Sequence, residues 1–174
     1  FVLALARTHD MPTRTQTLDA LLGEQIGALD EAARGLLVWA AAVGHDWSPA
    51  LLADAMEMPL AVLLAHLERL ERRGLLQPSG ANRFDFAHDL MRQAVYRSVS
   101  QPRRRAVHLR LAQTLALASS DDARLHGEVL HHASLADDVL LTVRASLAAG
   151  EHCLRVFANA QATEVADRGL AHLE

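Results

Sequence analysis

Along this 174-residue chain the apolar positions recur mostly at helical spacing, in short runs separated by capping residues. Leu18, Leu21, Leu22, Ile26 and Leu29 predict a first amphipathic helix that stops near Asp30. Asp30 is placed to cap a second helix, with Leu36, Leu37, Ala40 and Val43 on its inner face and Gly44 to close it. Ser48 followed by Pro49 is a cap with proline in the first turn, so a short helix carrying Leu51, Leu52 and Met56 starts there. Pro59 opens a longer helix with Leu60, Leu63, Leu64, Leu67 and Leu70 on one side, ended by Gly74.

The period then shortens to that of a strand. Leu75-Leu76-Gln77 and Arg83-Phe84-Asp85-Phe86 flank the turn-forming cluster Pro78-Ser79-Gly80-Ala81-Asn82, which predicts a β-hairpin. Helices followed by one hairpin describe a winged helix, here expected over residues 18–100. Within it, helix 89–99 carries Leu90, Ala94, Val95 and Val99 inward. Ser100 and Pro102 start another helix, striped by Val107, Leu111 and Leu115. From about residue 123 only helices are expected. Val143, Leu147, Gly150, Leu154 and Phe157 mark a face of one, and Ala162, Val165, Ala166, Gly169, Leu170 and Leu173 a face of the next. Small residues at contact positions let paired helices approach closely, as in tetratricopeptide-like hairpins, expected over 101–174. Such arrays normally need about three units, and about one and a half are visible, which suggests a truncated array. The predicted fold class is mainly α: a winged helix, then α-helical tetratricopeptide-like hairpins.

Composition sharpens this picture. Aromatic residues make up only 4% of the chain while Ala and Leu abound, which favours helices packed through small side chains. A net charge of −4 argues against a chain that coats nucleic acid. All 17 basic residues are Arg, so a P-loop, with its lysine, is impossible here. Cys153 is the only cysteine, so no intrachain disulfide can form, and a reducing, cytoplasmic setting is expected with Cys153 buried. Charges interrupt every apolar run before it reaches membrane-spanning length, and no membrane partner is expected. Phe1 to Ala6 is short and lacks a basic leader, so it is not read as a signal peptide. Residues 1–17 read as an apolar helical end followed by a polar linker around Pro12.

The chemistry concentrates at Phe84-Asp85-Phe86-Ala87-His88-Asp89-Leu90. His88 sits where a strand hands over to a helix N-terminus, a place with free backbone N–H groups and a positive dipole end. An anion such as a phosphate is suited to that position, and the imidazole can donate to it. The plainer reading has His88 capping the junction against a nearby carbonyl. Asp89 complements the dipole and is spaced to pair with Arg92, which shares the helix surface and is a weaker second candidate for phosphate. Phe84, Phe86 and Tyr96 read as core.

Other clusters carry less. Arg103, Arg104 and Arg105 oppose the dipole of their own helix, so they are either a solvated face or a docking patch for an acidic neighbour. Helix 59–73 holds the place of a recognition helix, and Arg69, Arg72 and Arg73 could touch phosphates. Leucines and the acids Glu68 and Glu71 dominate it, so DNA binding is the minority reading. Glu128 and His131 have the spacing of di-iron bundles without the second copy such sites need, so no metal site is expected. His152 and Cys153 are adjacent and point about 100° apart on a helix, which makes no catalytic dyad. No hydrolytic constellation appears, and the chain is expected not to be an enzyme.

Taken together, the run 84–96, the Arg103-Arg104-Arg105 helix start and Glu128-Val-Leu-His131-His132-Ala resemble the region behind the nucleotide-binding domain of STAND-class signal-transduction ATPases, among them LuxR-type ATP-binding transcriptional regulators. The resemblance runs from about Leu18 to Glu174, and Phe1-Val2-Leu3 is weakly similar to the end of the preceding NTPase lid. It implies a regulatory winged helix that folds back on the ATPase domain in cis, with the histidine at position 88 touching the β-phosphate of ADP. It further implies docking through Asp89 and Arg103 to Arg105, an unknown inducer or protein on the repeats, self-association in the open state, and ADP or ATP with magnesium in the full-length protein. A DNA-binding winged helix with a helical dimerisation region, or a plain helical interaction scaffold, are the alternatives.

Overall fold

The computed structural model of the chain describes residues 23–118 and 123–172. The predicted helical end and linker over 1–17, Leu18 to Leu22 of the first helix, and Leu173 lie outside the described residues. Helix α1 is described over 23–27, and Asp30 follows it. The Asp30 carboxylate accepts the Ala33 N–H at 2.7 Å, which starts α2 (Glu31–Val43). Gly44, at φ 103°, ends that helix in a conformation that disfavours side chains. Ser48 accepts the Ala50 N–H at 3.2 Å and begins α3 (Pro49–Ala55); α4 (Leu60–Arg72) follows Pro59.

Strands β1 (Leu76–Gly80) and β2 (Arg83–Phe86) pair antiparallel, with Leu76 opposite Phe86. β1 runs through the Pro78-Ser79-Gly80 cluster that the sequence assigns to the turn, and the ladder is irregular between Pro78 and Gly80. A proline survives there because β1 is an edge strand, whose outer amides need no partner. Trp47 bridges the other side of β2, exchanging backbone hydrogen bonds with Phe84 at 3.0 and 2.9 Å. That contact was not foreseen.

Helices α5 (Asp89–Ser98), α6 (Gln101–Ala118), α7 (Ala123–Ala136), α8 (Val139–Arg155) and α9 (Asn159–Leu170) complete the order. Consecutive members from α6 to α9 pack against one another. The main core joins Leu36, Leu37, Trp47, Leu52, Leu63, Leu67, Phe86 and Val95. A second cluster sets Val107 and Leu111 of α6 against Ala42 of α2 and Ala55 of α3. A third joins Leu115, Val129, Leu130 and Ala145. The architecture is therefore mainly α with one two-stranded antiparallel hairpin.

Three predicted faces are turned differently. On α4, Leu63, Leu67 and Leu70 are buried, while Leu60 and Leu64 face outward. On α5, Met91 and Val95 point inward and Leu90 is 52% exposed. On α8 the inner face is Thr142, Ala145, Ser146 and Ala149, and the apolar stripe through Leu147, Leu154 and the following Phe157 points outward. The reason for the last is steric. Gly169 of α9 lies so close to Ser146 that a Cβ there would sit 2.7 Å from the hydroxyl oxygen. Helices this close meet through their smallest faces, so the large side chains are displaced to the outside. No helix among the described residues is long and apolar enough to cross a membrane.

Candidate functional site at the α5 N-terminus and the α6–α7 cleft

β2 and α5 are linked through Ala87 and His88. The Ala87 N–H donates to the Leu75 carbonyl at 3.1 Å, which fixes the junction against the start of β1. His88 is the N-cap of α5, with extended backbone at φ −141° and ψ 129°, and its side chain makes no capping hydrogen bond. It is exposed. The predicted capping role is therefore absent, and the imidazole is available to a partner.

Around it lies a chain of acids and bases. The Asp89 carboxylate accepts from Arg92 Nε at 2.7 Å and from Gln93 at 2.6 Å, and these bonds hold it below the usual carboxylate range. His45 spans two acids, with Nδ1 3.2 Å from Asp85 and Nε2 3.5 Å from Asp89. Arg92 thus forms the ion pair its spacing predicts, and its charge is largely taken up by Asp89. His45 joins this cluster from 40 positions before Asp85 in the chain, so no local pattern could signal it.

The three arginines at the start of α6 do not form one patch. The Arg104 guanidinium lies 5.2 Å over the Tyr96 ring, and Arg105 pairs with Asp137 at 3.0 Å. Arg103 is exposed beside a shallow depression with Glu57 and Arg110. Of the proposed docking residues, Asp89, Arg104 and Arg105 thus serve contacts within the chain. On α4, Arg69 pairs with Asp30, and Arg72 lies 4.0 Å from Glu68. Cys153 is half-buried rather than buried. Among the described residues no group of three His, Cys, Asp or Glu side chains could hold a metal ion.

Sequence reasoning missed a buried polar ladder. The Tyr96 hydroxyl of α5 lies 2.8 Å from His108 Nε2 on α6, and His108 Nδ1 lies 2.9 Å from His132 Nδ1 on α7. The two imidazoles stack with centroids 5.1 Å apart. Burial lowers both from the usual 6.5, His108 to about 4 and His132 to about 3, with nearby positive or imidazole groups adding to it. Burial also lowers His131, while Glu128 acts against that shift. A signal existed: His108 shares the apolar stripe with Leu111 and Leu115, where a polar ring must find a partner.

His132 also lines a cleft of about 710 Å³ between the α2–α3 connection and the α6–α7 pair. Its walls include Trp47, Leu51, Asp54, Leu115, Glu128 and His131. Comparison of the chain with protein-family models, with curated proteins and with solved structures finds no match.

Proposed function

We propose that this chain is a non-catalytic regulatory module of a cytoplasmic, multidomain signal-transduction ATPase of the STAND class, related to LuxR-type regulators. In this reading residues 18–100 are a winged helix and 101–174 tetratricopeptide-like repeats that carry an inducer or protein. The observation that carries the reading is His88: an exposed imidazole at the N-cap of a ten-residue helix, uncommitted to its own backbone. A diphosphate presented by the neighbouring domain would meet the imidazole and the positive end of α5 together. Arg92 contributes only if it is shared with Asp89, which ranks it second. ADP or ATP with magnesium would be held by the neighbouring domain.

Helix α4 supports protein docking over DNA binding. Its exposed surface offers Leu60, Val62 and Leu64, and two of its arginines are paired with acids. Groove readout needs free donors along that surface. The test uses the protein with its ATPase domain present. A hydrogen bond to a charged partner contributes about 1.5–3 kcal/mol, so His88→Ala should speed ADP release by roughly tenfold to a hundredfold and raise basal output. Unchanged ADP release and unchanged basal output in that variant refute the proposal.

A further inference from the structure

The outward stripe of α8 has a period of its own. Leu140, Val143, Leu147, Gly150, Leu154 and Phe157, the last just past the helix end, are spaced alternately three and four residues apart. That is a seven-residue repeat, the period of a helix that packs lengthwise along another helix. Leu140, Leu147, Leu154 and Phe157 are 78%, 64%, 58% and 89% exposed, so the described residues leave the seam uncovered. Gly150 stands in its middle. A Cβ added there meets no atom within 4 Å, so the packing of the chain itself does not call for a glycine. Glycine weakens a helix interior, and what it offers in return is close approach of a second backbone.

A second copy of the same helix fills this seam when it runs antiparallel. Leu147 of each copy then faces Gly150 of the other, Val143 faces Leu154, and Leu140 faces Phe157, so the large leucine occupies the space above the glycine. A parallel copy would set glycine on glycine and leave a void at the centre. Charge selects the same arrangement. Arg144 and Glu151, four residues after Leu140 and Leu147, border the seam on one side; both are exposed, and neither has an ion pair among the described residues. In antiparallel pairing this border lies beside its own copy, so Arg144 of one chain meets Glu151 of the other, twice by symmetry. In parallel pairing the same two charges would lie beside Ser146 and Cys153, where neither finds an opposite charge. We infer that α8 is a dimerisation helix and that its partner is α8 of a second copy of this chain, running antiparallel. This inference uses no nucleotide and stands whether or not His88 senses one.

The test is sedimentation velocity on the 174-residue chain, with a reducing agent present so that Cys153 cannot link copies. The mass of one chain should give way to that of two across the micromolar range, as suits a short seam. Leu147→Asp, at an exposed position, should abolish the dimer and leave the helical circular dichroism unchanged. Arg144→Glu or Glu151→Arg alone sets like charges together twice and should weaken dimerisation roughly threefold to thirtyfold. Mixed one to one, those two variants should pair with each other about as tightly as the unaltered chain, because one carries two acids and the other two arginines at the facing positions. A chain that stays monomeric throughout overturns the inference and leaves the stripe to a different helix. A dimer that Leu147→Asp leaves intact, or charge-reversed variants that pair no better mixed than alone, overturns it as well. The mixing result decides the matter even if Leu147→Asp unfolds.

Discussion

Acid should unfold this protein through the His108–His132 pair. In the unfolded chain both imidazoles titrate near 6.5, while in the folded chain burial holds them at about 4 and about 3. Folded values below unfolded ones mean that the unfolded state takes up protons first as pH falls. The associated stability is therefore complete above about 6.5 and is lost on the way down towards about 4 and about 3. Between about pH 7 and about pH 5 an unfolded histidine goes from about a quarter protonated to almost fully protonated, and the folded rings bind almost nothing. That difference is about 2 kcal/mol for each ring and about 4 kcal/mol for the pair, a large part of the ~5–15 kcal/mol of a typical domain. The geometry agrees. The Nδ1–Nδ1 contact at 2.9 Å needs one donor and one acceptor, so a doubly protonated pair must break it. Urea midpoints measured across this pH range should fall steeply. His132→Asn should begin less stable and fall less steeply, by about 1.4 kcal/mol per pH unit for the proton it no longer takes up. Parallel curves for the two proteins would refute the reasoning.

Two further substitutions test the packing. Leu67→Ala, in the buried face of α4, should cost about 2–5 kcal/mol in chemical denaturation, whereas Leu64→Ala on the exposed face should stay within about 0.5 kcal/mol; equal losses would mean that the helix is rotated. Gly169→Ala places a Cβ against Ser146 and should cost about 1–3 kcal/mol, with partial recovery in the Gly169→Ala, Ser146→Gly double variant. A neutral Gly169→Ala would show that α8 and α9 do not meet closely.

What the sequence disclosed well was local. Asp30, Gly44 and Ser48 act at helix ends through their own side chain or backbone freedom, and each does so where the residue type says it should. The placement of His88 at the strand–helix junction is of the same kind. Periodicity was less informative about which apolar stripe faces inward. On α8 the leucine stripe is the more apolar, and the stripe of small residues, Thr142, Ala145, Ser146 and Ala149, faces inward because α9 approaches closely at Gly169, a fact that belongs to the partner helix. Side chains that meet across long separations were not legible at all. His45 reaches Asp85, and Tyr96 reaches His132 through His108, only because the chain folds.

The division of the chain at residue 100 is a boundary of pattern more than of packing. Val107 and Leu111 share a cluster with Ala42 and Ala55, and the Tyr96–His108–His132 ladder crosses the same seam. Apolar contacts alone tolerate some sliding, but a buried ladder is satisfied in one register. It also has a direction. In neutral rings each imidazole carries one proton, so the role of His132 Nε2 determines every bond behind it. If Nε2 carries the proton, then Nδ1 of His132 must accept from His108, and His108 Nε2 must accept from the Tyr96 hydroxyl. If Nδ1 carries it instead, all of those bonds reverse. The Tyr96 ring sits on α5 beneath the Arg104 guanidinium of α6, so the tautomer of His132 sets the direction of the hydrogen bond that α5 makes across the seam.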